Sequence, residues 1–165
     1  MTRLLLDSSA YVAFKKRHLT ILDTLAQADE IIMSPIVLGE FQAGFLQGMK
    51  RESNERELEE FLGSPRVSVV HVDQETAHRY AVIRAALKKA GTPISTNDIW
   101  IAATAMQYGF AILTTDRDFL KIPQIIVHHF PSASRRHLGE REAIQIISAR
   151  RASWKERLPY QTTQD

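Results

Sequence analysis

Four carboxylates stand where the surrounding sequence does not favour them. Asp7 follows Leu4-Leu5-Leu6, Glu40 lies within the stretch from Pro35 to Gly44, Asp98 precedes the apolar run Ile99 to Met106, and Asp116 follows Leu113-Thr114-Thr115. Three of them have an ordinary structural explanation. Asp7 can cap a helix together with Ser8 and Ser9, Asp98 sits in a Ser95-Thr96-Asn97-Asp98 segment resembling a capping box, and Asp116 can cap the turn into Asp118 and Phe119. Glu40 is harder to account for, because its helical neighbours at three and four residues are Ile36, Val37, Ala43 and Gly44. That pattern predicts a carboxylate on the buried side of a helix, which must be paired with an Arg, protonated or metal-bound. Four acids from four separate segments would repel one another strongly if they converged, unless divalent cations neutralised them. An all-oxygen ligand set suits hard cations, so the expected cofactor is Mg²⁺ or Mn²⁺. One or two such ions on a phosphodiester would activate water and stabilise the departing oxygen, which makes phosphodiester hydrolysis the natural reaction class. The hydroxyls of Ser8, Thr114 and Thr115 lie close by in sequence and can orient water or phosphate, although turn hydroxyls are more commonly local caps.

The elements that must position these acids follow from the apolar runs. Arg3 to Leu6 reads as a strand ending at Asp7, followed by a helix through Tyr11, Val12 and Phe14 and a second around Leu19, Leu22 and Leu25. Glu30 to Met33 reads as another strand, after which Pro35 opens a helix in the favoured first-turn position. Ser53 to Leu62 is expected to form a charged surface helix and Val67 to Val72 a third strand. Gln74 to Lys89 is expected to form an amphipathic helix directing Ala77, Ala81, Ile83 and Leu87 inward. After the break at Gly91-Thr92-Pro93 come an apolar helix from Ser95 to Tyr108 closed by Gly109, a buried strand from Ala111 to Thr115, and a last strand from Ile125 to His128. Alternating strands and helices predict an α/β fold with a parallel sheet, whose ligands gather beyond the carboxyl ends of the strands. Asp7 and Asp116 fall there.

Length and composition bound the rest. With 165 residues and 44% hydrophobic content, the expectation is one domain over residues 1–130 and a polar linker with a basic helical tail over 131–165. The net charge is only +2, yet Arg135 to Arg157 carries seven Arg and Lys against three Glu. Such a tail suits RNA phosphates or an acidic partner, and equally a solvated helix face. A helix from about Gly139 to Trp154 would give Ala143, Ile144, Ile147 and Trp154 an apolar side to pack on the domain, a second subunit or a partner. There is no cysteine, which excludes disulfides and thiolate metal sites. The N-terminal apolar run is too short for a signal peptide or membrane span, so a soluble cytoplasmic protein without membrane contact is expected. Among the six histidines, His128 and His129 would point to opposite faces of a strand and cannot easily share one ion, and the others lack ligand spacing. Trp100 could stack on a base, but its apolar helix makes it a core residue on this reading.

The blocks Leu4-Leu5-Leu6-Asp7-Ser8-Ser9, Ser34-Pro35-Ile36-Val37-Leu38-Gly39-Glu40, Asn97-Asp98-Ile99-Trp100-Ile101-Ala102-Ala103-Thr104-Ala105 and Leu113-Thr114-Thr115-Asp116-Arg117-Asp118-Phe119 occur in the order of the PIN-domain family. Taken together, from about Arg3 to Val127, they resemble its VapC toxin branch. The resemblance implies a PIN-like three-layer α/β/α fold and a metal-dependent endoribonuclease. It further implies a homodimer, neutralised by an antitoxin whose C-terminal peptide blocks the acidic groove. It matches Asp7, Glu40, Asp98 and Asp116 to the family's acidic positions, as catalytic residues and metal ligands, and Asp118 to a less direct fifth position. The extension after Phe130 departs from the family pattern. A haloacid-dehalogenase-type phosphatase would need an Asp where Ser9 stands, and a receiver domain would leave Glu40 and Asp98 unexplained. No Gly-rich phosphate loop is present. The alternative kept open is a PIN fold of weak catalytic power that binds RNA or protein.

Overall fold

The computed structural model describes residues 1–132 together with Ile144, Gln145 and Ile147. Its centre is a five-stranded sheet in the order β3-β2-β1-β4-β5, formed by β1 (Arg3–Leu6), β2 (Glu30–Met33), β3 (Val67–Val69), β4 (Ala111–Thr114) and β5 (Ile126–His129). Every pairing is parallel, with Leu5 of β1 opposite Ile32 of β2 and Ile112 of β4. Parallel strands need crossover helices, which cover both faces and force the central strands to be apolar throughout. Leu4, Leu5, Leu6, Ile31, Ile32, Ile112 and Leu113 are accordingly buried. The α/β reading of the sequence holds, with helices flanking a parallel sheet.

Six helices make the crossovers: α1 (Ser8–Lys15), α2 (Leu19–Gln27), α3 (Pro35–Gln47), α4 (Arg51–Leu62), α5 (Gln74–Ala90) and α6 (Thr96–Tyr108). Their ends are written in the sequence. Asp7 caps α1, Ser34 caps α3 with Pro35 in its first turn, Asp73 and Thr76 form a reciprocal capping box on α5, and Ser95 caps α6. Gly109 closes α6 at φ 71°, a left-handed position that suits glycine. Ser8 and Ser9 lie inside the first turn of α1 instead of capping it.

Several expectations need correction. Strand β3 ends at Val69: Val70 still donates to the Met33 carbonyl, but the chain then leaves the ladder to reach the Asp73 cap. On α5 the inward residues are Thr76, Ile83 and Leu87, with Tyr80 half-buried, whereas Ala77 and Ala81 are exposed. Trp100 is half-buried and stacks on Tyr80 at 4.3 Å. The α4 helix begins at Arg51 and turns Leu58 and Phe61 inward, where Phe61 meets Tyr11 edge-on at 5.1 Å.

Ile144, Gln145 and Ile147 are helical. Ile147 is 1% exposed and joins the domain core, and Ser64 Oγ donates to its carbonyl. Of the three surfaces open to this helix, its own domain is the one that Ile147 meets. The remainder of the expected Gly139 to Trp154 helix, with Trp154 and the basic run from Arg135 to Arg157, lies outside the described residues. No helix among the described residues is long and apolar enough to cross a membrane.

Candidate active site

Strands β1 and β4 are neighbours, so their carboxyl ends bring Asp7 and the segment Thr114-Thr115-Asp116 together. Asp7 is 3% exposed and accepts from the Ala10 backbone N–H (2.8 Å), from Ser9 Oγ (2.8 and 2.9 Å to its two oxygens) and from Thr114 Oγ1 (2.7 Å). Burial raises its pKa to about 6; the three sets of hydrogen bonds oppose that rise, and the negative charge of Asp98 adds to it. Thr114 Oγ1 in turn accepts from the Asp116 backbone N–H at 2.9 Å, so a single hydroxyl ties the two strand ends together. Ser9 Oγ lies 3.1 Å from Thr114 Oγ1 and accepts from the Thr115 N–H at 3.0 Å. Hydroxyls flanking both acids in the sequence were the only signal for this network.

Asp98 stands in the first turn of α6, its N–H donating to Ser95 Oγ at 3.2 Å, which is half of the expected capping box. Burial raises its carboxyl above the usual range. The Ser95 hydrogen bond opposes this, and the charges of Asp116, Glu40 and Asp118 push further upward. Asp116 caps a short 3₁₀ turn (Arg117–Lys121) by accepting from the Asp118 N–H at 2.9 Å. Asp118 pairs with Lys121 at 2.8 Å. One oxygen from each of Asp98, Asp116 and Asp118 lies within 4.8 Å of the others. At that spacing two ionised carboxylates repel by about 3 kcal/mol at an effective dielectric near 20, less where water screens them. Hard oxygen donors in like-charged company fit a divalent cation.

Glu40 is not buried, contrary to its sequence pattern. It is exposed and accepts from Ser8 Oγ at 3.0 Å. The apparent apolar face was made partly of Ala43 and Gly44, which are themselves exposed, and a side chain added at Gly44 would meet nothing. Its charge still acts on Asp98, which keeps it on the rim of the same acidic cluster. Asp118, by contrast, joins the closest triplet, although sequence reasoning ranked it last.

The sequence profile of the PIN domain matches residues 4–125. The chain belongs to the PIN-domain family. Among named PIN relatives, it is 34% identical to ribonuclease VapC4 of Mycobacterium tuberculosis over 95 residues, covering 58% of this chain and 73% of the relative. It is 30% identical to ribonuclease VapC2 of Rickettsia felis over 110 residues, 66% of this chain and 81% of the relative. The crystal structure of VapBC2 from Rickettsia felis bound to a promoter DNA fragment contains a chain that superposes with a TM-score of 0.70. The two are 28% identical, covering 78% of this chain and 99% of that one. The likeness to these VapC ribonucleases thus holds in both sequence and shape.

Proposed function

We propose that this PIN-domain ribonuclease is an endoribonuclease that hydrolyses RNA phosphodiester bonds with Mg²⁺ or Mn²⁺. In this reading Asp98, Asp116 and Asp118 hold the cation, and Asp7 and Glu40 complete the acidic ring as catalytic residues. The observation that carries it is the convergence of three carboxylate oxygens within 4.8 Å beyond the carboxyl ends of β1 and β4. A divalent ion bound there supplies a Lewis acid for the phosphoryl oxygen and lowers the pKa of an attacking water. The chain's own residues do the rest. Asp7, titrating near 6, is poised to accept a proton at neutral pH, and Thr114 and Ser9 hold its two oxygens in fixed directions. Ser8 orients Glu40 at the rim. Several solved structural relatives are VapBC assemblies, which supports a further reading of this chain as the cytoplasmic toxin of such a pair, working as a homodimer and neutralised by a cognate antitoxin.

The test combines binding with cleavage. Titration of the purified protein with Mn²⁺ by calorimetry should register binding that Asp98→Asn loses, and a panel of cellular RNAs should be cut in Mg²⁺ or Mn²⁺ but not in EDTA. Asp98→Asn should cut at least about a hundredfold more slowly. Equal cleavage by wild type and variant, or no ion binding by wild type, would overturn the reading.

A further inference from the structure

A cavity of about 490 Å³ opens directly beside the acidic cluster, lined by Ser8, Ser9, Val12, Lys16, Thr115 and Ser132. It shares walls with the site: Ser8 also donates to Glu40, Ser9 to Asp7, and Thr115 leads into Asp116. The far wall is built by a constrained corner. Arg17 takes a left-handed conformation at φ 62°, unusual for a residue with a side chain, and it sets Lys16 and His18 on either side of the turn. His18 is 2% exposed; its Nδ1 accepts from the Ile21 N–H at 3.3 Å and its Nε2 donates to the Pro131 carbonyl at 2.6 Å. That bond fastens the segment carrying Ser132, one of the residues lining the cavity. With both ring nitrogens of His18 engaged, Lys16 is the exposed cation among the described residues lining the space.

We propose that this cavity is the subsite for the nucleotide adjoining the scissile phosphate of a single-stranded RNA. The inference rests on the ribonuclease reading above. A polyanion threaded past five carboxylates is repelled everywhere except at bound cations and at a neighbouring positive side chain. Lys16 meets that need for the next phosphate. Val12, 38% exposed, offers an apolar surface for a ribose or base face. The hydroxyls of Ser8, Thr115 and Ser132 can both donate and accept, as sugar hydroxyls and base edges require. The volume falls within the range of pockets that bury a small ligand.

The experiment measures fluorescence anisotropy of a labelled single-stranded RNA hexamer in Ca²⁺, with cleavage in Mn²⁺ assayed in parallel. Lys16→Glu should weaken binding by about tenfold, and Lys16→Ala should flatten the dependence of log Kd on log salt by about one. Lys16→Arg should stay near wild type. Val12→Trp, which fills the cavity without altering any charge, should also weaken binding several-fold, while Arg56→Glu on α4 should not. The side chains altered are exposed, and matching thermal melts verify the fold. Wild-type affinity in both Lys16→Glu and Val12→Trp would overturn the proposal. If wild type binds the RNA but never cuts it, the catalytic reading fails while the Kd series still decides the subsite. If wild type does not bind the RNA, both fall.

Discussion

Asp7 is surrounded by donors, yet desolvation outweighs them, because an ionised carboxylate loses more on leaving water than three sets of hydrogen bonds return here. This has a consequence for stability. The folded chain titrates Asp7 near 6 and the unfolded chain near 3.8, so between those values the folded state holds the extra proton. The Asp7 contribution is therefore most favourable below about pH 4 and is lost as pH rises through 6, by on the order of 3 kcal/mol in total. In EDTA, urea denaturation of Asp7→Asn and wild type should show the variant gaining relative stability by about 1.4 kcal/mol between pH 5 and 7.5, and in Mn²⁺ the variant should lose cleavage activity. A difference that stays flat across that range would mean that Asp7 is not desolvated in solution. Added Mn²⁺ should help wild type and not the variant, since a nearby cation favours the charged carboxylate.

Glycine makes the clearest contrast among the elements. Gly109 ends α6 at φ 71°, so Gly109→Ala should destabilise by about 1 kcal/mol despite the open space around it. Gly39 lies inside α3, where an added methyl would meet nothing, so Gly39→Ala should stabilise by about 0.5–1 kcal/mol. Paired urea curves would read both signs, and equal signs would contradict the assigned backbone geometry. The same distinction explains what the sequence could and could not reveal. Strands β1, β2 and β4 were legible because parallel strands buried on both faces leave unbroken apolar runs, and the caps at Ser34 and Ser95 because capping demands particular side chains. Ala43, Gly44, Ala77 and Ala81 misled the reading of α3 and α5. Small residues count as apolar in a periodic pattern but bury too little surface to determine which face turns inward. The inward row of α5 instead runs through Thr76, Tyr80, Ile83 and Leu87, where one polar residue interrupts the apolar signal. At the site, Asp7 and Asp116 were legible from their strands. The closeness of Asp118 to Asp98 was not, since it depends on the path of a 3₁₀ turn.

For the molecule as a whole, the core is completed from beyond the segment that the family profile covers. Residues 4–125 match the PIN domain, yet Ile147 is as buried as the central strands. Removing its side chain in Ile147→Ala should cost about 2–4 kcal/mol, read as a lower melting temperature. A variant that melts like wild type would show that the extension lies outside the cooperative unit. A second consequence concerns synthesis. The hydrogen bond from Thr114 to Asp7 spans 107 residues, and the carboxylate triplet needs Asp118 as well. At the usual pace of translation, roughly 5–20 residues per second, several seconds or more separate the first of these acids from the last. A nascent chain thus carries Asp7 for some time before Thr114, Asp116 and Asp118 exist. The acidic cluster is assembled in the order in which the ribosome delivers the strands, and is complete only once β4 has docked beside β1.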